Sequence, residues 1–179
     1  MAKARGEKTL GWRILAGIVI PILLVLGRYT FRNSERVPRT GPVIITPNHY
    51  SNIDPLVSAY AVWRTGRVTR FLAKASLFKV PVFGAILRGT GQIPVQRAGA
   101  NAGGDSLSAA GKLVEDGLAI IVYPEGTLTR DPDMWPMRGK TGAARVALET
   151  GCPVVPVVTW GAHEILGPYR HWPHLLPRK

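Results

Sequence analysis

The sequence predicts an α/β fold, a single mixed β-sheet domain flanked by helices. Two observations lead to this prediction: short β-branched runs alternate with helical patterns, and turn-forming polar motifs follow the predicted strands. At 179 residues the chain is long enough for one packed domain and short for two. We therefore divide it into an N-terminal helix and linker, residues 1–40, and a globular domain, residues 41–179.

The N-terminal segment joins basic and apolar residues. The uncharged stretch Ile14–Leu26 has 13 residues, fewer than the roughly 18 to 20 needed to cross a bilayer core. Four Lys and Arg residues precede it, Arg28 follows, and Trp12 lies at its edge, as in helices that lie on an anionic membrane surface. We predict a membrane-associated helix, kinked at Pro21, and rank it above a core helix, a signal peptide or a transmembrane segment.

Strands and helices then alternate along the globular domain. Strands are predicted at Val43–Thr46, Val68–Leu72, Ile93–Val95, Leu118–Tyr123 and Val154–Trp160. Helices are predicted at Pro55–Trp63, from Asp105 to a stop at Gly117, and at Gly142–Glu149, ended by Gly151. Gly99–Gly104 should be a flexible loop. Ala162–Lys179 shows no clear periodicity and is assigned no regular element.

Charge and cysteine content narrow the possible partners. The formal net charge of +12 favours nucleic acid, an anionic bilayer or a phosphorylated substrate. The basic residues are dispersed and do not interleave with aromatic residues, which argues against nucleic acid. Cys152 is the only cysteine, so an intrachain disulfide and a cysteine-based metal cluster are excluded. A reducing, cytoplasmic setting fits best.

The segment Pro47–Pro55 carries the clearest chemical signal, because it places His49 and Asp54 five positions apart among turn-forming residues. Residues at this spacing point about 140° apart on an ideal helix and to opposite faces of a strand, so only a turn brings them together. The imidazole can then accept a hydroxyl proton while the carboxylate fixes its tautomer. The alternative is that Asp54 is an ordinary helix N-cap before Pro55 and His49 a plain loop residue.

These residues resemble the first motif, His-x-x-x-x-Asp, of the glycerolipid acyltransferases typified by 1-acylglycerol-3-phosphate acyltransferase. The resemblance continues in order through the chain and covers most of the globular domain. The further similar segments are Gly91–Arg97, Tyr123–Thr127 and Val154–Val157.

The resemblance implies a reaction and a set of roles. His49 is the base that removes the proton from the acceptor hydroxyl, Asp54 is its partner, and acyl-CoA or acyl-carrier protein is the donor. No metal or prosthetic group is expected. The second and third motifs are expected to bind a glycerophospholipid acceptor. The enzyme is expected on the cytoplasmic face of the cell membrane.

Acceptor binding is assigned mainly to the second and third motifs. Arg97 is the best phosphate ligand, because a guanidinium can donate two parallel hydrogen bonds to phosphate oxygens. Glu125 should pair with Arg97 or bind a glycerol hydroxyl. Gly126 allows close backbone approach, and Thr127 offers a hydroxyl and an amide.

The third motif departs from the commoner Glu-Gly-Thr-Arg-Ser form, since Leu128 and Thr129 fill its last two positions. Acceptor specificity is therefore left open between 1-acylglycerol 3-phosphate, glycerol 3-phosphate and another lysophospholipid. Further basic residues are candidates to complete the pocket: Lys74, Arg130, Arg138 and Lys140. Family members generally continue beyond the fourth motif, so a C-terminal truncation is also left open.

Other functions fit less well. Gly139-Lys140-Thr141 lacks the earlier glycine of a P-loop, and Gly89-Thr90-Gly91 lacks the third glycine of a dinucleotide site. No Gly-x-Ser-x-Gly marks a serine hydrolase, although Ser51 lies in the motif loop. The non-enzyme alternative is a basic protein that binds anionic lipid. Leu77–Leu87 is apolar enough to line an acyl groove, and packing against the core explains it equally well.

Overall fold

The computed structural model describes residues 7–95, 108, 110–112 and 114–168. Its five strands form one sheet in the order β3-β2-β4-β1-β5. The strands are β1 (Val43–Pro47), β2 (Thr69–Lys74), β3 (Ile93–Val95), β4 (Ala119–Ile121) and β5 (Val154–Val157). The predicted single sheet flanked by helices is confirmed. All pairings in the described part are parallel, not mixed, because a helical segment separates each strand from the next.

The predicted helices lie close to their predicted positions, and two short helices are present that were not predicted. They are α1 (Leu10–Leu26), α2 (Asp54–Arg64), α3 (Phe83–Gly89), α4 (Gly142–Thr150) and α5 (Ala162–Ile165), with 3₁₀ turns at Ser34–Arg36 and Ala75–Lys79. Residues 108, 110–112, 114 and 115 are also helical. Gly151 ends α4 in the left-handed conformation, as predicted. The predicted loop Gly99–Gly104 lies outside the described residues.

Three details of the prediction are wrong. Helix α3 was not predicted, because the apolar segment Leu77–Leu87 was interpreted only as a groove or a core segment. Helix α5 lies in a region that was assigned no regular element, because a single helical turn is too short to show periodicity. Strands β4 and β5 end at Ile121 and Val157, earlier than predicted. Val122 still donates a hydrogen bond to the Ile45 carbonyl of β1, and the chain directly beyond each strand end has no regular structure.

The sheet is covered on both faces, and β1 shows this most clearly. Ile44 packs with residues of α4 and of the helical segment around residue 110. Its neighbours Val43 and Ile45 point to the other face, where they contact Val62 of α2. A parallel strand buried on both sides reads as a continuous apolar run, which is why Val43–Ile45 was recognisable from sequence.

The N-terminal segment is tied to the domain by a buried arginine. Arg67 forms an ion pair with Glu7 at 2.8 Å and donates hydrogen bonds to three backbone carbonyls, those of Pro38, Gly41 and Gly117. The guanidinium thus satisfies backbone acceptors from the linker and the sheet together. Leu23 of α1 adds a fully buried apolar contact. Among the described helices none is both long and apolar enough to cross a membrane.

Candidate active site

The motif residues meet because they follow neighbouring parallel strands. His49 comes two residues after β1, and Glu125 lies in the turn that follows β4. Since β1 and β4 are paired and parallel, their carboxyl ends lie side by side. Loops at this edge of a parallel sheet commonly form the ligand site of α/β proteins. Lys74, the last residue of β2, belongs to the same edge.

His49 and Asp54 are in direct contact, as the sequence predicts. Nδ1 of His49 lies 3.0 Å from Oδ2 of Asp54, and the two side chains are 15% and 0% exposed. An ionised carboxylate can only accept, so Nδ1 carries the proton. Nε2 is then the nitrogen with a free lone pair, and no described group is hydrogen bonded to it. The pair therefore has the arrangement of a general base and its orienting carboxylate.

Asp54 also organises the loop that carries His49. Its Oδ2 accepts hydrogen bonds from the backbone amides of Tyr50 and Ser51, at 2.6 and 2.7 Å. Helix α2 begins at Asp54 itself, and the carboxylate binds amides that precede the helix. The alternative of an ordinary N-cap is therefore wrong, because an N-cap accepts from amides inside the helix. Its other oxygen, Oδ1, is buried without a partner among the described residues.

Tyr123 forms a wall of the site that the sequence did not reveal. Its ring stacks on the His49 imidazole with 4.1 Å between centroids and an interplanar angle of 25°. The phenol donates to Ser58, and burial, reinforced by the Asp54 charge, raises the pKa of Tyr123 well above its usual value. The phenol therefore stays neutral. The available signals were its place in the motif-like segment Tyr123–Thr127 and its position two residues after β4, the strand paired with the one that precedes His49.

Glu125 has a supporting role that neither expectation included. Its Oε1 accepts a hydrogen bond from the His49 amide at 3.1 Å, and its Oε2 accepts one from the Met137 amide, also at 3.1 Å. The carboxylate is buried and joins the two loops. The pairing with Arg97 is not described, because Arg97 lies outside the described residues. A contact with a glycerol hydroxyl stays a prediction.

The segment after β5 braces the His49 loop from a third side. The Asn48 side chain accepts from the Thr159 amide at 2.7 Å and donates to the Thr159 carbonyl at 2.9 Å. Ser51 donates its hydroxyl to the Leu166 carbonyl and accepts from the Ile53 amide. Because Ser51 is fully buried in these bonds, it does not serve as a hydrolase nucleophile.

A large apolar cleft of about 950 Å³ opens beside His49. One wall is α1 with Trp12 and Leu15, and another is α3 with Phe83 and Ile86. The walls are mainly apolar side chains, with a few polar groups among them. Such a cleft suits a long hydrocarbon chain that ends in a polar head.

The predicted binding residues divide into three groups around this cleft. Lys74, Gly126 and Lys140 line it together with His49. Thr127 is partly buried and Arg130 is exposed, and neither is among the described lining residues. Arg97 lies outside the described part.

Gly126 matters for its missing side chain. Its φ is 73°, which favours glycine. A Cβ added there would lie 3.0 Å from Nζ of Lys140. The glycine thus leaves room for the lysine at the cleft, and the two positions act as one feature. Among the described residues no cluster of three or more His, Cys, Asp or Glu side chains is placed to hold a metal ion.

The fold and sequence match known acyltransferases. A protein-family model described as Acyltransferase matches residues 28–160. The 1-acyl-sn-glycerol-3-phosphate acyltransferase BAT2, chloroplastic, of Brassica napus is 31% identical over 133 residues, covering 74% of this chain and 37% of that protein. The 1-acyl-sn-glycerol-3-phosphate acyltransferase of Borreliella burgdorferi is 32% identical over 130 residues, covering 73% of this chain and 50% of that protein.

A solved structure agrees with these matches. The 1-acyl-sn-glycerophosphate (LPA) acyltransferase PlsC from Thermotoga maritima superposes with a TM-score of 0.71 and 26% identity, covering 95% of this chain and 66% of that one. The chain spans between 37% and 50% of the length of the two curated relatives above. The family match covers residues 28–160, well over half of the chain, and these residues include His49 and Asp54. The chain therefore belongs to the acyltransferase family.

Proposed function

We propose that this chain transfers a fatty acyl group from an acyl thioester to the free hydroxyl of 1-acylglycerol 3-phosphate at a membrane surface. The observation that carries the proposal is the His49–Asp54 pair, joined at 3.0 Å, beside an apolar cleft that two lysines also line. The relatives named for this reaction support the choice of acceptor. The thioester is carried by coenzyme A or by acyl-carrier protein.

The reaction follows from the tautomer of His49. Nε2 removes the proton from the acceptor hydroxyl, and the resulting oxygen attacks the thioester carbonyl. A carbon–oxygen bond forms and the carbon–sulfur bond breaks. The thiolate that leaves then takes the proton from the imidazolium, which returns His49 to its neutral form. Buried Asp54 stabilises the imidazolium between these steps. General base catalysis contributes about 10²- to 10⁴-fold in rate, so substrate positioning must provide the remainder.

The phosphate of the acceptor is proposed to bind the basic residues at the cleft. Lys74 at the end of β2 and Lys140 in the loop before α4 both line the cleft, and Lys140 lies against Gly126. Each ammonium can attract a phosphate as a point charge. Arg97 is retained as a proposed third ligand. The apolar walls formed by α1 and α3 are proposed to hold acyl chains.

Helix α1 is proposed to place the cleft at the membrane. Its outward face carries a stripe of exposed apolar residues spaced four apart, Leu10, Ile14, Ile18 and Ile22. Residues at this spacing share one face of a helix. An apolar stripe in a strongly basic chain suits a helix that lies in the interface of an anionic bilayer. The same helix forms a wall of the cleft, so an acceptor can enter from the lipid.

The test is release of free thiol from palmitoyl-CoA by the purified chain with different acceptors. We expect release that requires 1-acylglycerol 3-phosphate, dispersed in detergent, and that is much weaker with glycerol 3-phosphate. Equal release without an acceptor would show a thioesterase instead. No release by a folded chain that still binds anionic vesicles would favour the lipid-binding alternative.

A further inference from the structure

The turn Val80–Phe83, which joins the 3₁₀ turn at Ala75–Lys79 to the start of α3, exposes a run of apolar side chains. Val82 is 76% exposed, and Val80 and Phe83 are also exposed. Single exposed apolar residues are common on soluble proteins, but a run of them in one short turn is not. We call Val80–Phe83 the apolar turn.

The backbone of the apolar turn is strained at its most exposed residue. Val82 has φ 61° and ψ −59°, and the Phe83 amide donates to the Pro81 carbonyl at 2.6 Å. This is a γ-turn with positive φ, a rare conformation that is especially unfavourable for a β-branched residue. Glycine would adopt the same φ without strain, and the Val82 side chain is mostly exposed rather than packed in the described core.

Close packing and a hydrogen bond at Gly84 accompany this geometry. Gly84 lies so close to the chain before it that an added Cβ would clash with the Phe78 carbonyl oxygen. The Gly84 amide donates to the Val80 carbonyl at 2.8 Å. The turn is therefore held by close packing at Gly84 and by this hydrogen bond, and strain kept at an exposed position points to a function there.

The charge around the apolar turn indicates its partner. The 50 residues from Pro55 to Gly104 contain seven Lys and Arg residues and no Asp or Glu. Lys79 directly precedes the turn, and Lys74 and Arg88 lie on either side of it in sequence, all three with exposed side chains. Exposed apolar side chains flanked by cations, in a stretch without acidic residues, fit an anionic bilayer. The apolar groups suit the acyl boundary, and the cations suit the headgroups.

The apolar turn also lies at the cleft beside His49. Phe83 and Ile86 line the cleft on the α3 side, and Trp12 and Leu15 of α1 line it on another. Both the turn and α1 leave apolar side chains exposed. Contact of both elements with one bilayer would bring the cleft between them against the lipid.

We propose that the apolar turn inserts into an anionic bilayer, as a second membrane contact separate from α1. This proposal rests on the proposed function only for the purpose of the contact, which is to deliver lipid to the cleft. Binding to vesicles is measured without turnover, so its failure and the failure of the acyltransferase proposal are distinguishable.

The first experiment is binding of Val82→Gly to vesicles of phosphatidylcholine with phosphatidylglycerol, measured by co-sedimentation. The Val82 isopropyl group would be buried in the bilayer, so its loss should weaken binding about tenfold. The melting temperature should stay the same or rise, because the backbone strain is relieved. Leu148→Ala is the matched control, since Leu148 is also apolar and 85% exposed, on α4. It should leave binding unchanged. Equal binding by Val82→Gly and the parent would overturn the proposal.

The second experiment measures directly how deeply position 82 lies in the bilayer. A nitroxide on Val82→Cys, in a Cys152→Ala background, should be buried in the bilayer, and one on Leu148→Cys should stay in water. Both should stay in water with phosphatidylcholine vesicles that lack the anionic lipid. A nitroxide at position 82 that remains in water, or that instead reports contact with a second copy of the chain, would overturn the proposal. Repeating the binding in His49→Ala should change nothing, because His49 takes no part in it.

Discussion

Two short turns of this chain are built on opposite principles. In the His49–Asp54 loop the polar groups are buried and paired: Asp54 accepts from His49 and two backbone amides, and Asn48 joins the loop to Thr159. In the apolar turn Val80–Phe83 the apolar groups face outward, and the backbone is strained. Each arrangement costs free energy in the isolated protein. The first is explained by the proposed substrate and the second by the proposed bilayer contact.

Catalysis and lipid contact place different demands on the two turns. A base must keep one tautomer and one orientation throughout the reaction, so its loop is fixed by many bonds before any substrate arrives. A membrane contact needs only exposed apolar area and favourable charge. Changes in the first region should therefore reduce the rate of the chemical step, and changes in the second should reduce vesicle binding. Four substitutions test this division, in order of expected effect.

His49→Ala should have the largest effect. Removing the base should lower kcat for thiol release about 10³-fold, within the range that general base catalysis supplies. Vesicle binding and the melting temperature should change little, because the side chain of His49 is partly exposed at the cleft. His163→Ala is the control for loss of a histidine elsewhere and should keep most of the activity. Wild-type kcat in His49→Ala would remove His49 from the chemistry.

Asp54→Asn should follow, with kcat lowered about 10²-fold. The amide keeps the shape but no longer stabilises the imidazolium, and its NH₂ favours the wrong tautomer of His49. The exposed Asp133→Asn is the control for loss of a carboxylate. A value of kcat within a factor of about 3 of the parent would mean that the contact is only structural.

Asn48→Ala should lower kcat about tenfold and the free energy of unfolding by about 1–3 kcal/mol, because the Thr159 amide and carbonyl both lose their partner. Asn52→Ala is the matched control, since Asn52 makes one longer, exposed bond of 3.3 Å to Pro168. Kinetics and denaturant unfolding measure both quantities. Equal effects of the two substitutions would show that the brace behind His49 has no special role.

Ile18→Ser should have the smallest effect on the chemistry and act on the membrane instead. Ile18 lies in the exposed stripe of α1, so losing its apolar area should weaken vesicle binding about fivefold. Turnover with detergent-dispersed acceptor should be unchanged. A fall in that turnover, equal to the fall in vesicle binding, would mean that α1 contributes to the chemistry and that chemistry and membrane contact are not separate.

Local features were predictable from the sequence. The His49–Asp54 contact needs only five residues of turn, and strands such as β1 are marked by continuous apolar runs. The contacts that hold the site are not local. Asn48 and Thr159 are 111 residues apart, and the His49 amide meets Glu125 from 76 residues away. These pairs exist because β1 lies between β4 and β5, and strand order is not encoded in any one segment.

Exposure was equally hard to predict. In α1 the adjacent residues Ile22 and Leu23 are 55% and 1% exposed, although both are ordinary members of one apolar run. An apolar run that lines a cleft, packs on a core and leaves a third side exposed has no simple period to follow. The apolar turn was hidden for the same reason, because Leu77–Leu87 fitted both a groove and a core.

The most direct test of the account is a double-mutant cycle on His49 and Asp54, with kcat measured by thiol release in the presence of 1-acylglycerol 3-phosphate. If the two residues act as one base, Asp54→Asn should have no further effect once His49 is alanine. We expect the double variant to equal His49→Ala, about 10³-fold below the parent. A double variant slowed by the product of the two single effects, about 10⁵-fold, would contradict the account, because independent residues multiply.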